Sequence, residues 1–266
     1  MIRPGEGGAP QALDEALVRF QLVERLRRTE PSAIAILVGG SLARGSADED
    51  SDLDLSAITE GEPCIRSRTW LEERPGKRPL LVSAQAAPVE AWLAASQRPQ
   101  PWALGFPALY EARYVWTTEE ARARLGGDPS VRHPPAPPQL EDFLAHVVKA
   151  RRCARQGDGM GLRLFAHQAG WLAPGLLRPL NPERVVRGRR DALEAALALP
   201  LAPEHYRYDL RVCLGLVPAG EQEVEEAALR LGRELLAFLR ERQPDVDPQP
   251  ELPRYLADGT LERLLA

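Results

Sequence analysis

Val38-Gly39-Gly40-Ser41-Leu42-Ala43-Arg44-Gly45-Ser46, followed by Ser51-Asp52-Leu53-Asp54-Leu55, is the stretch whose reading decides the fold. The apolar run from Ala33 to Val38 predicts a buried strand that feeds a Gly-Gly-Ser turn. A second apolar strand then carries carboxylates at alternate positions. Residues two apart on a strand point the same way, so Asp52 and Asp54 can converge on one hard cation. Magnesium takes oxygen ligands and is commonly held by one or two carboxylates plus substrate phosphates. The Gly-Ser turn offers bare backbone N–H groups where such phosphates could sit. The compound pattern is that of a metal–nucleotide site.

Rival readings of the same residues fail on inspection. Asp48, Asp50 and Asp52 have the spacing that opens a calcium loop, which needs Gly at its sixth position and a bidentate Glu at its twelfth. Leu53 and Thr59 occupy those places. A P-loop closes its glycine run with Gly-Lys-Ser/Thr, and no lysine is near. An ordinary Gly-rich hairpin turn with charged flanks leaves Ser41, Arg44 and both aspartates unexplained.

The pattern resembles the DNA polymerase β-like nucleotidyltransferase superfamily, marked by a hydrophobic residue, Gly-Ser, a short loop and Asp-x-Asp. Gly40-Ser41 and Asp52-Leu53-Asp54 fit that mark, and Ala43-Arg44-Gly45 matches the form of its small bacterial branch. The resemblance implies that Asp52 and Asp54 are catalytic and hold Mg²⁺ on a nucleoside triphosphate such as ATP. It implies that Gly40 and Ser41 grip phosphates and that Arg44 adds charge. An acceptor hydroxyl would attack the α-phosphate and pyrophosphate would leave.

Composition suits a cytoplasmic enzyme. A chain of 266 residues has room for two modest domains, each with its own core. A net charge of -4 gives no broad footprint for nucleic acid, so template binding and RNA tailing are disfavoured. Cys64, Cys153 and Cys213 are scattered and without His/Cys clustering, and read as buried reduced thiols. Residues 1–10 are Gly/Pro-rich, lack an apolar core and read as a flexible leader and not a signal peptide. No apolar run is long enough to span a bilayer. Only Lys77 and Lys149 are lysines.

Punctuation gives the organisation. Leu13, Leu17, Phe20, Val23 and Leu26 predict an amphipathic helix over 11–28. After the two strands of the motif, a third is expected at Pro79 to Ala84, a helix at Pro88 to Ala95, and an edge strand at Arg113 to Trp116. Pro129, Pro134, Pro135, Pro137 and Pro138 make 129–138 a stiff linker, unable to continue a sheet or helix. Beyond it the periodicity is helical over 140–156, 162–172, 182–199, 203–216 and 221–242. The expected fold is an α/β (α+β) nucleotidyltransferase domain with a mixed sheet over 11–128, followed by an all-α helical bundle over 139–266.

The second half is similar to the helical domain of the kanamycin nucleotidyltransferase group, through Pro203-Glu204-His205-Tyr206, Leu210, Val212, Gly215, Val217 and the long helix from Glu221. That resemblance implies a phosphate contact from Lys149, and it admits a homodimer with shared sites. It does not carry an aminoglycoside acceptor with it. The chain also departs from the family. A third carboxylate belongs on the next strand, yet alignment puts Leu81 or a neighbour there and no Asp or Glu lies between Glu73 and Glu90. The family's glutamate base aligns with Ala145, leaving Asp142 or His146, which share a helical face, to stand in. Two functions are therefore expected to compete. One is nucleotidyl transfer to a hydroxyl of a small molecule or protein; the other is a catalytically weakened nucleotide-binding regulatory or interaction module. Arg163 and His167 fall short of the Arg/His spacing of the RNase-like helical domains that accompany small nucleotidyltransferases, so RNase activity is not expected.

Overall fold

The computed structural model of the chain describes residues 21–48, 51–74, 76 and 78–242. The expected leader, the start of the first helix and the chain beyond 242 lie outside the described residues. Contacts divide the chain into two units, one with the residues up to Arg98 and Leu109–His133, the other with Pro99–Ala108 and the residues from Pro134.

The first unit is built on a mixed five-stranded sheet of order β3-β4-β2-β1-β6. Its strands are β1 (Ala33–Gly39), β2 (Leu53–Thr59), β3 (Ser67–Glu72), β4 (Leu80–Pro88) and β6 (Ala112–Thr117), with a short β5 (Ala108–Tyr110) before β6. β1 pairs antiparallel with β2 and β6, while β2 runs parallel to β4. The side-chain period of two separates two cores. Ile36, Val38, Leu53, Leu55, Val82 and Ala84 form one with Leu22 and Leu26 of α1 (Leu22–Thr29). On the other face Ala35, Leu37, Ile58 and Ala112 pack with Val89 of α3 (Val89–Ala95) and Ala121 of α4 (Glu119–Leu125). The single turn α2 (Gly40–Ala43) follows β1 directly. Glu30, buried just after α1, accepts the backbone N–H of Cys64 at 2.9 Å and that of Ile65, fixing the loop into β3.

Several expectations are corrected here. β3 was not expected, because as an outer strand it leaves Ser67, Arg68 and Thr69 exposed and lacks apolar alternation. The proline-rich stretch is not wholly a linker: Val131–His133 forms β7 beside β5. These residues lie between Pro129 and Pro134 and keep their N–H groups, and buried His133 sets Nδ1 3.1 Å from the Ala95 carbonyl oxygen. Cys64 is exposed, not buried, while Cys153 and Cys213 are buried.

The second unit is helical: α5 (Leu140–Arg155), α6 (Gly159–Leu177), α7 (Arg189–Leu197), α8 (Tyr206–Cys213) and α9 (Glu221–Arg242). On α5, Leu140, Phe143, Leu144, Val147, Ala150 and Cys153 make the buried stripe expected of an amphipathic helix. Asp158 caps α6 by accepting the Gly161 N–H at 2.9 Å. The helix expected over 182–199 begins only at Arg189, because buried Val186 runs extended and its N–H donates to the Pro107 oxygen at 2.9 Å. No described helix is long and apolar enough to cross a membrane.

Two polar features shape this unit, one buried and one half-buried. Asp209 on α8 is fully buried and accepts from Arg230 Nε on α9 at 2.9 Å, with a second bond from the same guanidinium. His146 on α5 stacks on Phe165 of α6, with centroids 5.9 Å apart. Burial, then the charge of Lys149, holds its imidazole below the ordinary value, while Asp142 pulls the other way.

Replacing Asp209 with Ala strips a partly buried guanidinium of its main partner and is expected to destabilise the fold by about 3 kcal/mol, read by denaturant unfolding. For His146 the unfolded imidazole takes its proton near about 6.5, and the folded one only at lower pH. The unfolded state therefore binds more protons in that window, so this contribution is full above the unfolded value and is lost as pH falls below it. Thermal melts from about pH 7 to pH 5 should show a smaller fall in Tm for His146→Phe than for wild type.

Candidate functional site

The site is assembled where β1 ends. Gly39 finishes the strand in extended backbone and Gly40 turns into α2 with a φ of 69°. L side chains disfavour that left-handed region, so glycine is demanded there. The close approach of neighbours reinforces the demand. A Cβ on Gly40 would lie 3.0 Å from Asp54 Oδ2, and one on Gly39 would lie 1.9 Å from Tyr110 Oη. The Asp54 carboxylate thus rests against bare main chain at the turn.

Register explains how Asp54 arrives. Val38 pairs with Leu55 across the β1–β2 ladder, which places the start of β2 beside the end of β1. Leu53 and Leu55 point into one core, and Asp54 faces the other way. Asp52, exposed just before β2, shares the face of Asp54 by the strand period. Burial, and then the negative charge of Asp52, raises the Asp54 carboxyl above its ordinary value. Two carboxylates that repel each other next to an open turn form an oxygen donor set suited to a hard divalent cation. Among the described residues, no group of three or more His, Cys, Asp or Glu is placed to hold a metal.

The parallel β2–β4 register settles which residues flank the aspartates. Ser83 pairs with Asp54, and Gln85 with Ser56. Leu81 lies on the same face and is 40 % exposed. β4 reads Leu-Leu-Val-Ser-Ala-Gln-Ala-Ala-Pro, with no carboxylate. Ser83 instead meets Thr69, Oγ to Oγ1 at 3.4 Å, and Gln85 Nε2 donates to Ser56 Oγ at 3.1 Å.

Tyr110 was not singled out in the sequence. Its hydroxyl lies over Gly39 and engages buried Ser56, and its ring meets Trp92 edge-on at 6.2 Å. Burial first, then the charge of Asp54, raises its hydroxyl above the ordinary value, against weaker opposition from Ser56 and Arg44. The group remains a protonated donor beside the carboxylate. No local signal announces it, because Tyr110 reaches Gly39 only when the following strand β6 pairs with β1 through Gly39 and Ala112.

Gly40, Ser41, Arg44, Asp52 and Asp54 are gathered in the first unit. Ser41 sits on α2, its carbonyl accepting the Ser46 N–H at 3.0 Å, and exposed Arg44 ends the turn. Lys149 belongs to the second unit, exposed on α5 with Nζ 5.6 Å from the centroid of the Phe165 ring. Of the two stand-ins for a base, Asp142 is exposed, and His146 Nδ1 is buried without a hydrogen-bond partner among the described residues. Arg163 donates to the Ala219 oxygen at 2.9 Å, while His167 stacks on Trp171.

Comparisons with known proteins agree on both halves. Residues 21–81 match the family model "Nucleotidyltransferase domain", and residues 139–241 match "Nucleotidyltransferase, substrate binding domain". No curated protein matches the chain. Among solved structures, the chain is similar to a nucleotidyltransferase-like protein from Exiguobacterium sibiricum 255-15, at 14% identity over 96% of this chain and 89% of that one. The TM-score is 0.37, a likeness too distant to bear on the argument. The first match spans the Gly-Ser turn and both aspartates, and the second spans helices α5 to α9 almost end to end. With a nucleotidyltransferase domain joined to a nucleotidyltransferase substrate-binding domain, this chain belongs to the two-domain, kanamycin nucleotidyltransferase-like nucleotidyltransferases.

Proposed function

We propose that this protein transfers a nucleoside monophosphate from a magnesium-bound nucleoside triphosphate, ATP being the first to test, to a hydroxyl of an acceptor. The observation that carries the reading is the Asp54 carboxylate set against the Cβ-free turn at Gly40, with the charge of Asp52 within reach. Carboxylate and bare main-chain turn then stand side by side, which is what a metal–triphosphate complex requires.

In this reading Asp52 and Asp54 hold Mg²⁺, which when bound supplies Lewis-acid polarisation and neutralises phosphate charge. The Gly40 backbone and the Ser41 hydroxyl grip the β and γ phosphates. Arg44 adds positive charge at the mouth of the turn. Tyr110, kept protonated, orders the wall against which Asp54 rests. The acceptor oxygen forms a bond to the α-phosphorus as the bond to the pyrophosphate oxygen breaks. The hydroxyl proton passes to a general base or to solvent water. The free thiols of Cys64, Cys153 and Cys213 suit a reducing cytoplasm.

A second reading, the weakened nucleotide-binding module, draws on one specific observation: Ser83 pairs with Asp54 on a β4 that carries no carboxylate. Binding and turnover separate the two readings. Calorimetry should find nucleotide binding that needs Mg²⁺ in wild type and is abolished in Asp52→Asn/Asp54→Asn. Pyrophosphate release should drop about 10²–10³-fold in Asp54→Asn, the scale of losing one electrostatic group from a transition state. Tight Mg²⁺-dependent binding with no pyrophosphate release across an acceptor screen would favour the module instead. Gly40→Ala should lose about 1–2 kcal/mol of stability from its left-handed backbone and bind nucleotide more weakly still, because the added methyl crowds Asp54.

A further inference from the structure

The second unit contains a cavity of about 400 Å³ that the nucleotide site does not use. Pro99, Pro101, Leu104, Pro137, Trp171 and Leu172 supply its apolar wall, and Gln100 and Gln139 its side-chain amides. No described lining residue is ionisable. We propose that this cavity binds an uncharged, ring-bearing small molecule.

The cavity is built, not left over. The chain leaves the first unit at Pro99 and returns at Leu109, and this excursion contributes a large share of the lining. Within it Leu104 is buried at 3 % exposure with a φ of 53°, a left-handed conformation that a branched side chain adopts only when its surroundings enforce it. Gly105 follows at a φ of 83°, and a Cβ there would lie 2.5 Å from the Gly175 Cα of α6. Two glycines thus let the excursion and the helix meet at the main chain. The Trp171 ring is clamped: its Nε1–H donates to the Pro101 oxygen at 3.2 Å and His167 stacks beside it at 5.8 Å. Pro99, Pro101 and Pro137 restrict the backbone of the lining further. A preformed wall of this kind lowers the ordering penalty of binding.

The lining selects the ligand. A volume of this size falls in the range of small-molecule sites, whose few amides orient a largely apolar ligand. An indole ring and proline faces favour a flat ring. A polycation would be desolvated here with no carboxylate to meet it, which is strongly unfavourable. That argues against the aminoglycoside class for this cavity.

The probe is 2-naphthol, which is neutral, flat and hydroxylated, with kanamycin as the polycationic contrast. Calorimetry on the full chain should find saturable 1:1 binding of 2-naphthol, at least tenfold weaker in Ala136→Phe, which fills the cavity, and no binding of kanamycin. Gln139→Trp, at an exposed lining position, repeats the block should Ala136→Phe fail to fold. Absence of saturable naphthol binding, binding untouched by the blocking variant, or kanamycin binding that the variant abolishes would each overturn the proposal.

Discussion

A half-buried carboxylate pressed against a main chain without a Cβ is the constraint on which the rest of the site depends. Asp54 Oδ2 would lie only 3.0 Å from a Cβ on Gly40, and Gly40 itself has a left-handed φ of 69°. Both demands fall on the same residue, so the turn tolerates nothing larger. The β1–β2 register delivers the carboxylate to that spot, and the buried leucines on either side of Asp54 hold the register. A slip of one residue would bury Asp54 in the core and expose Leu53 and Leu55.

Electrostatics gives this geometry its chemical sense. Burial and the neighbouring Asp52 push the Asp54 carboxyl toward its protonated form, an unfavourable arrangement for a purely structural residue. A divalent cation shared by the two carboxylates would reverse the sign of that interaction. The surrounding layer is polar and interlocked: Gln85 donates to Ser56, Ser56 engages Tyr110, and the Tyr110 hydroxyl covers Gly39. Such a layer stands beside the carboxylate without neutralising it, since none of these groups carries a positive charge.

How much of this could be read beforehand depended on the range of the contacts. Gly40, Asp52 and Asp54 stand within one strand–turn–strand segment, so the approach of Asp54 to the Gly40 turn was to be expected from spacing. The mixed sheet and the helical second half were legible for the same reason, since periodicity is local. Tyr110 was invisible because Gly39 is distant from it in sequence and comes near only when β6, which follows Tyr110, pairs with β1. Strand β3 was missed because an outer strand need not alternate, and the late start of α7 because Val186 is captured by an extended pairing with the 107–108 segment. The excursion through Leu104 and Gly105 is likewise fixed by a backbone contact with Gly175 that no pattern of hydrophobicity records. The missing carboxylate on β4 was legible in the sequence, but only the register identified Ser83 as the residue beside Asp54.

The most direct test of the account is diffraction from crystals grown with Mn²⁺ and a non-hydrolysable ATP analogue, collected at the manganese edge. The account predicts an anomalous peak bridging the carboxylates of Asp52 and Asp54, with the triphosphate laid along Gly40 and Ser41. Manganese and nucleotide bound elsewhere, or nucleotide bound with both aspartates bare, would contradict it.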